Sequence, residues 1–143
     1  MSTRLSRGAR LLLASALLVA PACNETPVDP TPTPTTADLF FSSQLMARGS
    51  VSRSFTTTRS GEVKVVFTAL LPETSALVAV SLGSFDGTIC TPTTTVVVAQ
   101  GSTDAVITTT LAAGNHCVRI ADQNATLTKT NDFSITVNYP TGS

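Results

Sequence analysis

Tryptophan is absent from the 143-residue chain, and tyrosine and histidine each occur once. Sugar-binding β-sandwiches generally expose Trp or Tyr platforms, so this scarcity weakens the case for a carbohydrate-binding module. The single histidine, His116, cannot build a typical zinc site without cysteine or carboxylate partners. The Gly-x-Ser-x-Gly turn that presents a nucleophilic serine is also missing. We therefore predict that the protein is not an enzyme and that it has no catalytic residue, metal or cofactor.

Charged residues make up only 13% of the chain, and nine Lys and Arg balance nine Asp and Glu. Three of the arginines lie within the first ten residues. If these three are removed with a leader, six basic residues remain against nine acidic ones, which is a net charge of −3. A domain of this charge has no basic field to attract nucleic acid. Few charges combined with abundant Thr, Val, Ser and Ala are typical of half-buried strands.

Long apolar runs are also missing, apart from one short run near the N-terminus, Leu11–Ala20. Three arginines precede this run, and small residues ending in Ala22 and Cys23 follow it. Basic, apolar and small-residue segments in this order form an export signal. A run of this length is too short to cross a hydrocarbon core about 30 Å thick as a helix. We predict that residues 1–22 are a signal peptide and that the chain is exported.

The end of the leader resembles a bacterial lipoprotein signal, in which a small residue precedes a cysteine that is acylated and becomes the new N-terminus. Ala22 and Cys23 match that pattern, whereas Ala20 and Pro21 stand where Leu and then Ala or Ser are usual. Ala20-Pro21-Ala22 also fits the site of an ordinary signal peptidase. Both interpretations place the cut after Ala22. They differ in whether Cys23 carries the acyl chains that would attach the protein to a lipid membrane.

Cysteine parity favours acylation, because the chain has three cysteines and a lipidated Cys23 leaves Cys90 and Cys117 as a pair. We predict that Cys90 and Cys117 form a structural disulfide in an oxidising compartment. The bridge would close a loop of about 27 residues and stabilise the fold by roughly 3 kcal/mol in the chain-entropy model. Neither a Cys-x-x-Cys spacing nor a neighbouring base indicates a reactive thiol.

Residues 24–36 are rich in proline and threonine, which alternate from Pro30 to Thr35. Such a segment cannot bury apolar surface, and it lacks many backbone donors, so it is typical of an extended polyproline spacer. At about 3.1 Å per residue it would span about 40 Å; the alternative is a disordered N-terminus without a mechanical role. We predict a lipidated cysteine and tether over 23–37, one domain over 38–140, and a tail over 141–143.

Period-two alternation is clearest in residues 62–69, where every second position is apolar: Val63, Val65, Phe67 and Ala69. Residues 133–139 alternate in the same way. Both segments predict antiparallel strands with one buried face. Weaker alternation predicts further strands at 38–46, 51–58, 76–84, 94–100, 104–111 and 116–122.

Turn signals separate these segments at regular intervals, and no convincing amphipathic helix follows the leader. We therefore predict an all-β fold, an antiparallel β-sandwich of about seven to nine strands with jelly-roll or Greek-key connections. A closed barrel is the main alternative.

Several short stretches of residues 49–139 carry a family resemblance: Ser54-Phe55-Thr56, Ser60–Val65, Val80–Gly83, Leu111–Ile120 and Phe133–Val137. Together they resemble the small bacterial β-sandwich modules of the pre-peptidase C-terminal type. His116 stands where these modules usually have Tyr. The resemblance implies a β-sandwich in a secreted or surface protein and does not imply proteolysis.

Polar residues near the C-terminus admit both a structural and a functional interpretation. His116 shares strand parity with Val118 and Ile120, which predicts a ring on the core side near a strand end. Asp122 and Asp132, with Asn124, could supply oxygen atoms to calcium, but no EF-hand spacing supports this and polar residues are expected in a loop.

Phe40 and Phe41 are adjacent, so one of them must face outward if the segment is a strand.

Taken together, these features predict an exported, membrane-anchored lipoprotein that displays one disulfide-stapled β-sandwich for binding or structural roles at the cell envelope. We expect a lipid anchor at Cys23, on the outer membrane or cell surface, and an envelope protein or polysaccharide as a further partner. The alternative is a periplasmic or secreted module without lipid that assists a hydrolase or an adhesion complex.

Overall fold

A computed structural model of the chain describes residues 35–100 and 104–142. All regular elements in these ranges are strands, and there are eight: β1 Thr36–Leu45, β2 Ser50–Thr57, β3 Gly61–Leu71, β4 Val78–Phe85, β5 Cys90–Val98, β6 Ala105–Leu111, β7 Gly114–Ala121 and β8 Asn131–Pro140. The all-β prediction is confirmed. The expected signal peptide over 1–22, Cys23 and the tether as far as residue 34 lie outside the described residues.

The strands form two four-stranded antiparallel sheets that pack face to face. Sheet A has the order β1-β8-β3-β6, and sheet B has the order β2-β7-β4-β5. Successive strands therefore cross repeatedly between the sheets, and this order is the double Greek key of a jelly roll. The predicted sandwich with jelly-roll connections is confirmed, and the two separate sheets contradict the closed-barrel alternative.

The core lies between the sheets and consists of aliphatic and phenylalanine side chains from their inner faces. Its largest fully buried members come from both layers: Leu45, Val63, Val65, Phe67, Leu70, Val78, Val80, Leu82, Val118, Ile120, Ile135 and Val137. Each such side chain contributes about 1.5–3 kcal/mol by leaving water. Alternation along the strands is what brings these residues to one side.

One alternation prediction is wrong, because β3 contains a bulge. Its register with β8 passes from Phe67 opposite Ile135 directly to Ala69 opposite Ser134, which leaves Thr68 as an extra residue. An extra residue reverses the facing of every side chain beyond it. Leu70 is therefore fully buried, whereas Ala69, which was expected on the core face, is only half-buried.

Strand β5 begins at Cys90, four residues before its predicted start at 94. The sequence pattern does not predict this part of the strand because it contains Pro92, and proline is usually excluded from strands. It is accommodated here because β5 is an edge strand, with a register shift beside it between Leu82 and Gly83 of β4. Strand β1 begins at Thr36, two residues before the predicted domain start.

The topology gives the sandwich two distinct ends. At one end, which we call the entry end, β1 begins, β8 finishes and the turns at 58–60, 86–89 and 112–113 connect strands. The opposite end, which we call the far end, carries the connections at 46–49, 72–77 and 122–130, and β5 ends and β6 begins there.

Candidate functional site

The predicted disulfide between Cys90 and Cys117 is present, with their Cα atoms 5.8 Å apart. Cys117 lies opposite Gly83 of β4, and Cys90 lies opposite Phe85 of the same strand. The bridge therefore crosses β4 on the outer face of sheet B and joins the two strands that flank it. It links the edge strand β5 to the interior strand β7, so its role is structural.

His116 is held by backbone at the turn between β6 and β7. Its Nε2 lies 2.9 Å from the carbonyl oxygen of Ala112, and because a carbonyl oxygen can only accept, Nε2 is the donor. The Thr57 hydroxyl donates to the same oxygen over 2.8 Å. The half-buried ring also packs on Phe55, with the ring centroids 5.7 Å apart. This nitrogen is engaged in closing a turn and is not directed toward a nucleophile.

Asp122 organises the far end through hydrogen bonds from the backbone. Its carboxylate accepts hydrogen bonds from the backbone N–H groups of Arg48, Thr126 and Leu127, over 2.9, 2.8 and 3.3 Å. The side chain is only 3% exposed. Burial raises the pKa of Asp122, but the three N–H donors outweigh burial, so the pKa lies below its usual value.

The same carboxylate supports two unusual backbone conformations. Arg48 and Ala125 have φ angles of 58° and 52°, in the left-handed region that favours glycine. The hydrogen bonds of Asp122 reach Arg48 itself and the residue after Ala125. One buried acid thereby joins the β1–β2 turn to the β7–β8 loop.

Glu73 makes a second connection at the far end. Its carboxylate accepts from the Thr128 hydroxyl over 2.6 Å and from the Asn131 amide over 2.7 Å, while its own N–H donates to Asn131 Oδ1 over 2.7 Å. The bond from Thr128, followed by that from Asn131, lowers the pKa of Glu73. The far end is thus a set of loops whose polar groups bind one another.

These loops do not assemble a metal centre. Within residues 35–100 and 104–142, no group of three or more His, Cys, Asp and Glu side chains could hold a metal ion. Asp132 is exposed on β8 and takes no part in the hydrogen bonds that engage Asp122. The calcium hypothesis therefore finds no set of converging ligands in the described part of the chain.

A cleft of about 570 Å³ opens at the entry end, and we call it the entry cleft. It lies between the start of β1, the β2–β3 turn and the end of β8, and its walls include Thr36, Arg59, Ser60, Asn138 and Pro140. Its volume falls within the range of about 300–1,000 Å³ that is typical of small-molecule sites.

Backbone hydrogen bonds hold the wall of the entry cleft in place. The Thr141 N–H donates to the carbonyl oxygen of Thr35 over 2.9 Å, and the Gly142 N–H donates to the Thr58 hydroxyl over 2.6 Å. Gly142 also packs so closely on the side chain of Arg59 that an added Cβ would lie 2.9 Å from Arg59 Cδ. Thr141 and Gly142, the first two residues of the predicted tail, are therefore hydrogen-bonded to Thr35 and Thr58.

Arg59 is the cationic group of the entry cleft. Its Nε atom is buried and has no hydrogen-bond acceptor. A buried donor without a partner costs about 1–3 kcal/mol. The nearby acid Glu62 is engaged by Lys64, whose Nζ lies 2.9 Å from Glu62 Oε1. Among the described residues, no carboxylate lies within ion-pair distance of Arg59.

Arg59 is not among the residues predicted from the sequence, because an isolated arginine in a turn carries no motif. The signal that could have drawn attention to it is Ser60-Gly61, a turn signal that places Arg59 at the exposed end of the sheet. Whether the Arg59 side chain finds a partner depends on which segments pack beside it, and only the tertiary structure decides that.

Of the two adjacent phenylalanines, Phe40 faces outward on sheet A and is 75% exposed, whereas Phe41 enters the core. The prediction that one ring faces outward is confirmed. Phe40 lies opposite Thr136, and the outward residues next along β1 and β8 are polar, so the exposed ring is isolated. Single exposed apolar side chains are normal on protein surfaces.

No helix long and apolar enough to span a membrane occurs within residues 35–100 and 104–142. No family model matches the sequence. No curated protein matches it either.

Proposed function

We propose that the chain is an exported, membrane-anchored lipoprotein that displays a disulfide-stapled jelly roll for binding at the cell envelope. The observation that carries the proposal is the partition of the three cysteines. Cys90 and Cys117 bond to each other, which leaves Cys23, directly after the leader, as the remaining cysteine of the chain. An acylated Cys23 accounts for this odd cysteine.

The disulfide itself supports the proposed location in an oxidising compartment. Structural disulfides persist in oxidising environments outside the cytoplasm. The Cys90–Cys117 bridge therefore favours a location outside the cytoplasm. Attachment to the outer membrane or the cell surface is part of the proposal.

The geometry of the domain supports a tethered display. Strand β1 begins at Thr36, directly after the Pro/Thr segment, so the chain joins the domain at the entry end. The far-end loops lie at the opposite end of the strands. A Pro-rich spacer between an anchor and such a domain holds the domain away from the membrane surface. An envelope protein or polysaccharide is the partner class that we propose for the displayed domain.

Metabolic labelling with a fatty-acid analogue tests the anchor. We expect wild type to incorporate the label and to fractionate with membranes, and Cys23→Ser to lose both properties. A Cys90→Ser/Cys117→Ser double variant is the matched control, because it removes the other two sulfurs and should still be labelled. Wild type without label, released as a soluble protein, would exclude the anchor and favour the secreted accessory module, for which Ala20-Pro21-Ala22 supplies an ordinary cleavage site.

A further inference from the structure

We propose that the entry cleft is a binding site for a monoanionic oxyanion, a carboxylate or a phosphodiester, and that Arg59 is its recognition residue. The proposal goes beyond the lipid anchor and does not depend on acylation of Cys23. Two features carry it: a cleft of about 570 Å³ and, among its lining residues, Arg59, which forms no ion pair with the described residues.

The guanidinium favours an oxyanion because of its shape. Arginine presents adjacent N–H groups as a planar fork, and this fork matches two oxygen atoms of one carboxylate or phosphate. Here the neighbouring acid Glu62 is paired with Lys64, so the positive charge of Arg59 remains uncompensated among the described residues.

Other groups of the cleft restrict the ligand further. Glu62 also lines the cleft, but its carboxylate is paired with Lys64, so Arg59 is the unpaired charge of the described lining and a single negative charge compensates it. Thr36 and Ser60 contribute hydroxyl groups. The Asn138 amide nitrogen donates to Asp38 over 2.7 Å, which leaves Asn138 Oδ1 as an acceptor. A monoanion that also carries hydroxyl groups therefore fits best.

One wall of the cleft is held by contacts within the chain. Hydrogen bonds from Thr141 and Gly142 hold one wall, and Gly142 packs directly on the Arg59 side chain. Preorganisation of this kind lowers the entropic cost of binding.

Nuclear magnetic resonance titration of the exported chain carrying Cys23→Ser tests the proposal. The probes are glucuronate for a carboxylate and dimethyl phosphate for a phosphodiester, each with a neutral counterpart, methyl glucoside and trimethyl phosphate. We expect at least one anion to shift the backbone amides of residues 36, 59–62 and 138–139 in a saturable manner, and the neutral counterparts to leave them unchanged. The anion that binds shows whether the cleft recognises a carboxylate or a phosphodiester.

Variants separate recognition by Arg59 from a general effect of charge. Arg59→Gln should weaken binding at least about tenfold, as expected for loss of a charged hydrogen bond. Arg59→Lys, which keeps the charge and loses the fork, should fall between Arg59→Gln and wild type. Arg53→Gln is the matched control, because Arg53 is exposed on β2 and does not line the cleft.

Three outcomes would overturn the proposal: the absence of saturable shifts with both anions, equal binding of the neutral probes, or equal anion binding by Arg59→Gln. The comparison of anionic with neutral probes requires only the Cys23→Ser protein, so that result stands even if Arg59→Gln fails to fold.

Discussion

Gly83 on β4 and Thr91 on β5 approach so closely that a β-carbon on Gly83 would overlap the carbonyl oxygen of Thr91. The added carbon would also lie 2.8 Å from Cα of Pro92. This approach occurs where the register of β4 and β5 shifts between Leu82 and Gly83. The missing side chain allows β5 to fold over β4, and this brings Cys90 within bonding distance of Cys117.

We therefore expect Gly83→Ala to prevent both the close approach and the disulfide. The alanine methyl group would collide with the Thr91 backbone and push β5 away from β4, and overpacking of this kind costs about 1–3 kcal/mol. In a Cys23→Ser background, alkylation followed by intact mass should show two free thiols. Ser84→Ala, one residue further along the same strand and exposed, is the control and should keep the bridge. A fully oxidised Gly83→Ala protein with an unchanged urea midpoint would contradict this role.

Removal of the disulfide should lower the stability of the domain without changing its fold. In wild type the disulfide closes a loop of about 27 residues even when the chain is unfolded. A Cys90→Ser/Cys117→Ser variant lacks this restriction, so its free energy of unfolding should be lower by about 3 kcal/mol. Urea unfolding followed by circular dichroism, again in a Cys23→Ser background, measures the change. Equal midpoints for oxidised wild type and the double variant would show that the bridge does not stabilise the fold.

Phe40 and Phe41 provide a matched pair for the core. Phe41 is 6% exposed and contacts Phe133 edge to face, with the ring centroids 5.0 Å apart. Phe41→Ala should reduce the free energy of unfolding by about 3–5 kcal/mol. Phe40→Ala removes the same atoms from an exposed position and should change it by no more than about 0.5 kcal/mol. Similar losses from both variants would mean that β1 does not hold this register.

The carboxylate of Asp122 should make stability depend on pH. The pKa of Asp122 is lowered in the folded protein, so its contribution is present above its unfolded pKa of about 3.9 and is lost as the pH falls through the lower folded value. Asp122→Asn removes a charged acceptor from several backbone donors, and at pH 7 it should cost about 2 kcal/mol.

Urea unfolding from pH 7 to pH 2 tests this expectation. The difference between wild type and Asp122→Asn should shrink below pH 4, because the wild-type carboxyl becomes protonated there. Asp132→Asn, at an exposed position on β8, is the control and should differ little from wild type at pH 7. A wild-type advantage that is constant across the range would show that the charge of Asp122 is not responsible.

The position of most strands could be read from the sequence because period-two alternation is a local property. The alternation over 62–69 and 133–139 located β3 and β8, and weaker patterns located the other strands. Prediction failed where a local rule was overridden. Pro92 concealed the start of β5, since its place on an edge strand cannot be recognised before the sheet is known. Thr68 altered the facing of Ala69 and Leu70, since a bulge depends on the partner strand β8.

The candidate site was less predictable than the fold. The pairing of Cys90 with Cys117 follows from counting once Cys23 is set aside. Nothing local indicates that Asp122 reaches Arg48, which lies 74 residues earlier in the chain. Arg59 likewise resembles any turn residue until the end of β8 packs beside it.

The sequence by itself determined that the domain is all-β, that Cys90 and Cys117 are available to pair, and that one ring of Phe40 and Phe41 must face outward. These properties follow from composition, parity and alternation, which act over a few residues. Only the tertiary structure decided that Phe41 is the buried ring, that β5 crosses β4 at Gly83, and that Arg59 lines a cleft without an acceptor. Those features depend on which distant strands become neighbours, and long-range pairing between two sheets decides this.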